Sequence, residues 1–482
     1  MSEEPIVFNG RHARTGRSLL PPLTALEIGR IALCLPIEPD LEERLQTFAE
    51  GIRAHDPLRA LSLEMKDPTD LSQTGWGVIF APGVTSEMEE ALSPLFERRR
   101  QQAGQEHFRA LRGPVPTASE LLKVTDVQKG APPDPKKLPY YLLLVGDPTW
   151  LPFQLQTELD VQYAVGRLWF ENANDYRSYA EAVVAYEVAA EVRGKERAGR
   201  LLVDSKNTEG DDGDLTFFAV ENPGDRATYQ TANDLIAYLH KALKLCRPRW
   251  RVRTIGGGEA KRARLTRLLG AEKPSILFTA SHGVGYDADD RQQGNRQGSL
   301  ICDDWPGEPA PLEDEHCFAG ADVPTEADLS GLIAFLFACY GAGTPSYDSF
   351  GFRVPDGPRK IAPAPFVARL PQRLLAAGAL AVVGHVDRAW TTSFTWNGRG
   401  GHVVVYDHLL RQLMDGYPIG FAMEQMGLRF ADLAAALQVL WSDRAFLRDR
   451  DVETFGELWL AASDARNFVV LGDPAVRLGL GK

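Results

Sequence analysis

The chain alternates between short, continuous runs of hydrophobic residues and longer stretches in which apolar residues recur at helical spacing. Such runs are typical of strands that are covered on both faces of a parallel sheet. The hydrophobic runs are residues 76–80, 140–145, 201–203, 275–279, 332–337 and 379–383. The helical stretches are residues 86–102, 174–193, 232–245 and 366–377. The alternation therefore predicts an α/β fold with an open, mostly parallel sheet flanked by helices.

Two irregular stretches interrupt this alternation. Residues 129–138 contain three prolines, which remove backbone donors and disfavour regular structure. We place the first boundary there, which leaves an N-terminal α/β region over residues 1–135 with a possible regulatory or partner-binding role. Residues 287–328 are rich in Asp, Gly, Pro and Glu. Because this composition offers little apolar surface for packing, we expect a mobile stretch that a regulator could move or cut.

Composition excludes several classes of protein. Among the 482 residues, 65 acidic side chains outnumber 53 basic ones, and the net charge of −12 argues against a nucleic-acid partner. The first residues lack the basic and apolar regions of a signal peptide, and no run approaches ~20 apolar residues. We therefore expect a cytoplasmic protein with no membrane partner. The five cysteines are scattered and form no CxxC motif, so we expect mostly reduced thiols.

Two reactive side chains each follow a buried strand. His282 comes directly after the run 275–279, in the sequence SILFTASHGVG, and Cys339 comes directly after the run 332–337, in LIAFLFACYGAG. Ligands bind at the carboxyl edge of open α/β sheets, where side chains project from rigid strands into a crevice. If the two strands are neighbours, His282 and Cys339 face each other across one site.

This pair predicts nucleophilic catalysis. A nearby imidazole can take the proton of a thiol and later protonate the leaving amine. The N–H groups of Gly283 and Cys339 could form an oxyanion hole for the tetrahedral intermediate. The alternative is structural, because a free cysteine is among the most frequently buried residues and a histidine in a loop is often only a polar surface residue. The joint pattern of strand-His-Gly and strand-Ala-Cys-x-Gly favours the catalytic interpretation.

The motifs TASHG and FACYGAG resemble those of the caspase-like cysteine peptidases, and four further segments resemble the gingipain-like branch, with the CHAT peptidases as near relatives. These segments are YYLLLVGDPTWLPF from Tyr140, ELDVQYAVGRL around Asp160, GALAVVGHVDRAW up to Trp390, and NFVVLGDPAVRL near the C-terminus. The resemblance covers roughly residues 138–482. It implies part of a smaller α/β subdomain over 136–197, a catalytic caspase-like subdomain over 198–400, and a C-terminal helical extension with a final strand over 401–482.

The resemblance also implies endopeptidase activity on a protein or peptide substrate, with no metal and no organic cofactor. It suggests a role in bacterial defence. Because a freely active protease would harm the cell, we expect a regulatory protein partner. The chain departs from the secreted gingipains in its expected lack of a signal peptide and in the long stretch 287–328.

Further site residues follow from the resemblance. An acidic residue that ends an earlier strand orients the catalytic histidine in that family, and the matching position is Asp204, which could instead be a turn cap. Asp214 matches an acid in the specificity pocket, with Asp387 as a second choice, and Trp390 matches an aromatic wall that could equally be core packing. Two acids in this set favour cleavage after Arg or Lys. Arg388 would instead select an acidic residue.

Other kinds of site have weaker support. The acidic loop 211–214 could be a solvated turn or a weak Ca²⁺ site. Cys302, His316 and Cys317 lack the paired spacing of a structural zinc site. No GK[ST] follows the glycines at 256–258, and no GxSxG is present, which argues against a phosphate cradle and an α/β hydrolase. A protease-like binding or scaffold module with little activity of its own remains the alternative function.

Overall fold

The computed structural model describes residues 24–32, 67–200, 212–348, 359–396, 399–400, 403–442 and 449–479. The chain divides into two compact units, Met1–Leu61 and Ser62–Lys482. In the first unit, helix α1 (Ala25–Ala32) begins after Thr24, whose hydroxyl accepts the Glu27 N–H while the Glu27 carboxylate accepts the Thr24 N–H. This reciprocal pairing is a capping box. Everything described below belongs to the second unit.

A ten-stranded sheet is the centre of the second unit, in the order β2-β1-β3-β4-β16-β13-β10-β7-β5-β6. Its strands are β1 (Trp76–Phe80), β2 (Phe108–Arg112), β3 (Tyr141–Val145), β4 (Ala164–Leu168), β5 (Gly213–Ala219), β6 (Trp250–Ile255), β7 (Ile276–Ala280), β10 (Ile333–Phe337), β13 (Ala381–His385) and β16 (Phe468–Gly472). Short strand pairs lie outside this sheet: β8 (Leu300–Ile301) with β9 (Cys317–Phe318), β11 (Gly343–Thr344) with β12 (Phe366–Val367), and β14 (Thr395–Trp396) with β15 (Arg399–Gly400). The predicted fold class is confirmed.

The sheet consists of two halves with the same connection order. In the first half the chain starts at β1, moves out to β2 and returns to β3 and β4, and these strands are parallel to one another. In the second half it starts at β5, moves out to β6 and returns to β7, β10 and β13, which are again parallel. Strand β16 closes the gap and is antiparallel to β13. Each half therefore has a topological switch point beside its first strand, where ligands bind in open α/β sheets.

Helices cover the sheet. They are α2 (Leu71–Thr74), α3 (Ser86–Ala91), α4 (Ser93–Ala103), α5 (Ala118–Val124), α6 (Phe153–Leu159), α7 (Ala173–Arg200), α8 (Arg226–Gln230), α9 (Ala237–Cys246), α10 (Arg262–Leu269), α11 (Gln293–Arg296), α12 (Arg369–Ala376), α13 (Val403–Met414), α14 (Ile419–Ala422), α15 (Glu424–Ser442) and α16 (Asp449–Arg466). Short 3₁₀ turns span Asp314–His316, Gly320–Asp322 and Thr391–Ser393, and a π-helical turn spans Thr231–Ile236. No described helix has the length and apolar content that a membrane span would require.

Buried aromatic rings hold the two central strands of the second half together. Phe278 of β7 stacks on Phe335 of β10 with ring centroids 4.5 Å apart, and Tyr406 of α13 contacts both rings edge-on. All three side chains are 2% exposed or less. The core therefore holds β7 and β10 side by side, and this sets the positions of the residues that follow Ala280 and Phe337.

The five predicted runs that fall on described residues are strands β1, β3, β7, β10 and β13, whereas β2, β4, β5 and β6 were not predicted. The prediction 201–203 lies outside the described residues, whereas β5 occupies the place beside β7. The predicted helix 86–102 is two helices, because Leu92 ends α3 and Pro94 stands in the first turn of α4. Residues 129–138 form no helix or strand beyond an isolated bridge, as predicted, but the sheet continues across them because β1 pairs with both β2 and β3.

Candidate active site

His282 and Cys339 end adjacent strands. Strand β7 pairs with β10 so that Ala280 lies beside Phe337, and each reactive residue follows its strand by two positions. The Ser281 N–H donates to the Phe337 carbonyl and continues the pairing past the strand end. The condition for a shared site, that these two strands are neighbours, is met.

The imidazole of His282 is held by a carboxylate. Its Nε2 lies 2.8 Å from Oδ2 of Asp225, and both side chains are about one-third exposed or less. Asp225 is the N-cap of α8, where its Oδ1 accepts the Thr228 N–H at 2.7 Å. One carboxylate thus caps a helix and binds the histidine.

Asp225 is an ionised acceptor. Partial burial acts to raise its pKa, but hydrogen bonds from Thr228 and His282 more than offset burial, so the pKa lies below the ordinary value. A carboxylate can only accept a hydrogen bond, so Nε2 of His282 carries the proton and Nδ1 presents a lone pair.

Cys339 sits in a tight turn. The Gly341 N–H donates to the Ala338 carbonyl at 3.2 Å, and between them Tyr340 adopts a φ of 58°. A bulky residue with positive φ is strained by an amount on the order of 1 kcal/mol, and such strain collects at functional sites. The Tyr340 N–H donates to the Asp387 carbonyl at 2.8 Å, which helps to hold the turn.

The thiol of Cys339 faces the segment after β13. The Ala389 N–H points to Sγ at 3.4 Å, and Sγ lies 3.9 Å from the Ala389 carbonyl oxygen. Burial raises the pKa of the Cys339 thiol above the ordinary value, although a hydrogen bond from Ala389 opposes this. A raised pKa favours the neutral thiol over the thiolate.

Gly283 packs directly on the backbone of Cys339. A Cβ added to Gly283 would lie 1.9 Å from the Cys339 carbonyl oxygen, so only glycine fits. Gly283 also bridges to Leu300 as a non-hydrogen-bonded pair, so its own N–H points away from that neighbour. Among the described residues neither the Gly283 N–H nor the Cys339 N–H has an acceptor. Two free donors thus lie beside the thiol.

A fully buried carboxylate anchors the segment that faces the thiol. Asp464 of α16 accepts the Trp390 N–H at 2.9 Å and the Ser393 hydroxyl, and none of its side chain is exposed. In an extended segment successive residues face opposite sides. Ala389 faces Cys339, and the next residue, Trp390, donates its N–H to Asp464.

Two further side chains support the same segment. Arg429 of α15 donates to the Thr392 carbonyl at 2.9 Å, and its guanidinium lies 3.9 Å from the carboxylate of Asp464. His385, the fully buried last residue of β13, has its Nε2 3.3 Å from the same carboxylate. The helical pair α15 and α16 therefore contacts the active-site edge.

Several charged side chains lie together after β13, in the segment that Cys339 faces. Arg388 binds Asp348 through two hydrogen bonds of 2.7 and 2.8 Å, and one of its nitrogens lies 3.5 Å from Oδ1 of Asp387. Asp387 is 2% exposed and accepts the Arg388 N–H. Trp390 is half-buried beside them. Burial lowers the pKa of Arg466 of α16 and Asp387 opposes this, so a second guanidinium lies near the same carboxylate.

The remaining predicted acids are elsewhere. Asp214 is not at the site, contrary to the prediction. It stands at the start of β5, at the end of the strand away from His282, and pairs with Arg251 at 3.5 Å. Asp212 pairs with Arg249 at 2.8 Å. Asp204 and Asp211 lie outside the described residues, so the predicted role of Asp204 stays a prediction.

The stretch 287–328 lies beside the site and is folded. Gly298 packs against the Tyr340 carbonyl, and Leu300 of β8 and Phe318 of β9 are buried in the main core. Asp303 accepts the N–H groups of Glu221 and Ala260 at 2.9 and 2.8 Å. The expectation of a mobile stretch is wrong, because a few apolar residues and a bridging carboxylate hold it.

Sequence reasoning missed Asp225, Asp348 and Asp464. Asp225 carried a usable signal. It follows the mostly hydrophobic run 215–220 and precedes Thr228 by three residues, and an acid in this place is typical of a helix N-cap after a strand. Asp348 and Asp464 carried no local signal, since their partners lie 40 or more positions away in the chain.

No protein-family model and no curated protein matches this chain. Among solved structures, the complex of the RgpB pro- and mature domains of Porphyromonas gingivalis is 12% identical and covers 84% of this chain and 80% of that one, with a TM-score of 0.46. A structure described only as a protease is 11% identical over 85% and 80% of the two chains, also with a TM-score of 0.46. The Saccharomyces cerevisiae separase-securin complex is 9% identical and covers 70% of this chain and 16% of that one, with a TM-score of 0.34. At these levels the likeness concerns the fold alone.

Proposed function

We propose that this chain is a caspase-like cysteine endopeptidase of the gingipain-like type, with Cys339 as nucleophile and His282 as general base and acid. The observation that carries the proposal is the fixed imidazole: Asp225 holds Nε2, and Nδ1 is left as a base at the edge that also bears the thiol. We choose Asp225 over Asp204 as the orienting acid because the carboxylate of Asp225 accepts a hydrogen bond from Nε2 of His282.

The first half of the reaction forms an acyl-enzyme. Nδ1 of His282 takes the proton of the Cys339 thiol, and Sγ attacks the carbonyl carbon of the scissile peptide bond. The negative charge moves to the carbonyl oxygen, where the N–H groups of Gly283 and Cys339 can donate to it. The intermediate then collapses, the C–N bond breaks, and the imidazolium gives its proton to the leaving amine.

The second half releases the product. Neutral His282 takes a proton from water, which attacks the thioester carbonyl through the same oxyanion intermediate. The C–S bond breaks and the thiolate takes the proton back. Asp225 stays ionised throughout and stabilises the imidazolium in both steps.

We assign specificity for Arg or Lys before the scissile bond to the charges around Arg388. Asp348 already binds Arg388 with both oxygens, so this guanidinium is engaged and is a poor partner for an acidic substrate residue. Asp387 adds the second carboxylate and Trp390 an aromatic surface for a cation. A carboxylate and an aromatic face are the partners that a basic side chain prefers.

A panel of fluorogenic peptides that differ only at this position tests the assignment. We expect cleavage after Arg or Lys, and we expect Asp387→Asn to lower that preference at least about tenfold. Asp214→Asn is the matched control, because it removes the other candidate acid at the opposite end of β5. Preferential cleavage after Asp or Glu would overturn basic specificity.

The second candidate function is a protease-like module that binds a regulatory protein and has little activity. Contacts of α15 and α16 with the active-site segment favour regulation through the C-terminal helices. The two functions separate in a cleavage assay with purified protein. Peptide cleavage by the wild type, lost in Cys339→Ala, supports the peptidase, whereas no cleavage by either supports the module.

A further inference from the structure

The first half of the sheet contains a cavity where the second half has its candidate active site. A volume of about 260 Å³ lies where β1, β3 and β4 end. Because the two halves share one connection order, this is the switch point of the first half, the equivalent of the site at β5, β7 and β10. Asp147 follows β3 by two residues, as His282 follows β7, and Phe170 follows β4 as Cys339 follows β10.

The walls of this cavity are aromatic. Trp150 is 48% exposed at the mouth, and Trp169 is half-buried beside it. Phe170 and Tyr176 are buried behind them, with ring centroids 5.0 Å apart and planes at 88°. Met88 adds a polarisable thioether.

One carboxylate lines the cavity, and it is fixed. Oδ2 of Asp147 accepts the indole N–H of Trp169 at 2.9 Å, and Oδ1 accepts the Thr149 N–H at 2.7 Å. Within the described part of the chain no cationic side chain lies within ion-pair distance of Asp147. Arg167, behind the same loop, donates instead to the Leu151 carbonyl and to Gln156. Burial lowers the pKa of Arg167 and the charge of Asp147 opposes this, so Arg167 is close enough to interact with Asp147 but forms no direct ion pair with it.

We propose that this cavity binds an organic cation, an alkylammonium or guanidinium group. Aromatic faces attract such groups through the ring quadrupole, and the carboxylate supplies the opposite charge. The volume lies just below the range of about 300–1,000 Å³ that is usual for small-molecule pockets, which suits one group of side-chain size. The site is independent of the proposed peptidase activity. The cation can come from a free small molecule or from a basic side chain of a protein.

Titration of the full-length protein with choline and with its neutral isostere 3,3-dimethylbutan-1-ol tests the proposal. The readouts are tryptophan fluorescence and calorimetry. We expect saturable binding of choline and at least about tenfold weaker binding of the neutral compound. Equal binding of the two, or no saturable binding of choline, agmatine or an arginine-containing peptide up to about 50 mM, would overturn the proposal.

Variants locate the binding. Asp147→Asn and Trp150→Ala should each weaken it at least about tenfold, whereas Glu90→Gln, an exposed acid on α3, should stay within about twofold. Trp150 is exposed at the mouth, so its replacement leaves the fold intact. Wild-type affinity in both Asp147→Asn and Trp150→Ala would contradict the site. Comparison of agmatine with the arginine-containing peptide separates a free cation from a protein side chain.

Discussion

The two halves of the sheet have one architecture and different chemistry. In each half the chain starts at one strand, moves out to the edge strand and then returns. A side chain lies two residues after each of the next two strands, which are β3 and β4 in the first half and β7 and β10 in the second. In the second half these side chains are His282 and Cys339, the proposed base and nucleophile. In the first half they are Asp147 and Phe170, a fixed acid and a buried ring.

The difference teaches that topology provides the position and not the reaction. The carboxyl edge of a parallel sheet is a good place for any ligand, because rigid strands deliver side chains there. A peptidase additionally needs a fixed base, a strained turn that presents the thiol and free N–H donors. The second half has Asp225 on the histidine and Tyr340 at a φ of 58°, and the first half has neither arrangement.

The largest expected effect on the second half comes from Asp225→Asn. The amide can present its N–H₂ to Nε2 and stabilise the wrong tautomer, so turnover should fall about 100- to 10,000-fold with little change in KM. Steady-state kinetics on a fluorogenic peptide measure this. Asp204→Asn is the informative comparison: a fall of the same size there, with Asp225→Asn near the wild type, would return the role to Asp204.

Gly283→Ala should come next. The new methyl group would lie 1.9 Å from the Cys339 carbonyl oxygen, so the two strand ends must separate and the oxyanion donors move. We expect kcat to fall about 100-fold or more. Gly294→Ala, in the stretch 287–328 that follows Gly283, is the control, because nothing lies within 4 Å of the added Cβ there. Unchanged kcat in Gly283→Ala would refute the close approach.

Asp464→Ala should act on binding more than on chemistry. It releases the Trp390 N–H and the Ser393 hydroxyl, so the segment that faces the thiol loses its anchor. We expect KM to rise about tenfold while kcat stays within about threefold, with partial rescue in Asp464→Asn. Asp432→Ala removes an exposed acid of α15 as a control. A fall in kcat with KM unchanged would count against a positioning role.

The smallest effect is a pH dependence. Only the thiolate is alkylated, and burial raises the pKa of Cys339, so the rate of alkylation by iodoacetamide should still be rising above about pH 8.5, where an exposed thiol is half ionised. Peptide mapping of Cys339 at each pH measures this rate separately from the other cysteines. A midpoint below that pH would indicate a resting thiolate-imidazolium pair instead of the neutral thiol.

The sequence sufficed for features that depend on continuous patterns. Strands β1, β3, β7, β10 and β13 are unbroken hydrophobic runs, and their ends placed His282 and Cys339 correctly. It did not predict β5. Without this strand nothing in the sequence placed Asp225 beside His282, and the resemblance pointed to Asp204 and Asp214 instead.

Other features depend on contacts that no local pattern reports. Asp464 is buried only because α16 packs behind the segment after β13, 74 positions away from Trp390. The stretch 287–328 has the composition of a mobile loop, yet Leu300 and Phe318 pair across two-residue strands that are too short to show any alternation. Such pairings become visible only in three dimensions.

Covalent labelling by a peptidyl acyloxymethyl ketone with arginine before the reactive group tests the central claim most directly. The claim is that the second half alone carries a Cys-His peptidase site. Mass spectrometry of the labelled wild type should find one adduct, on Cys339, and His282→Ala should label far more slowly although its thiol is intact. Labelling of another cysteine, or equal rates in the wild type and His282→Ala, would contradict the account.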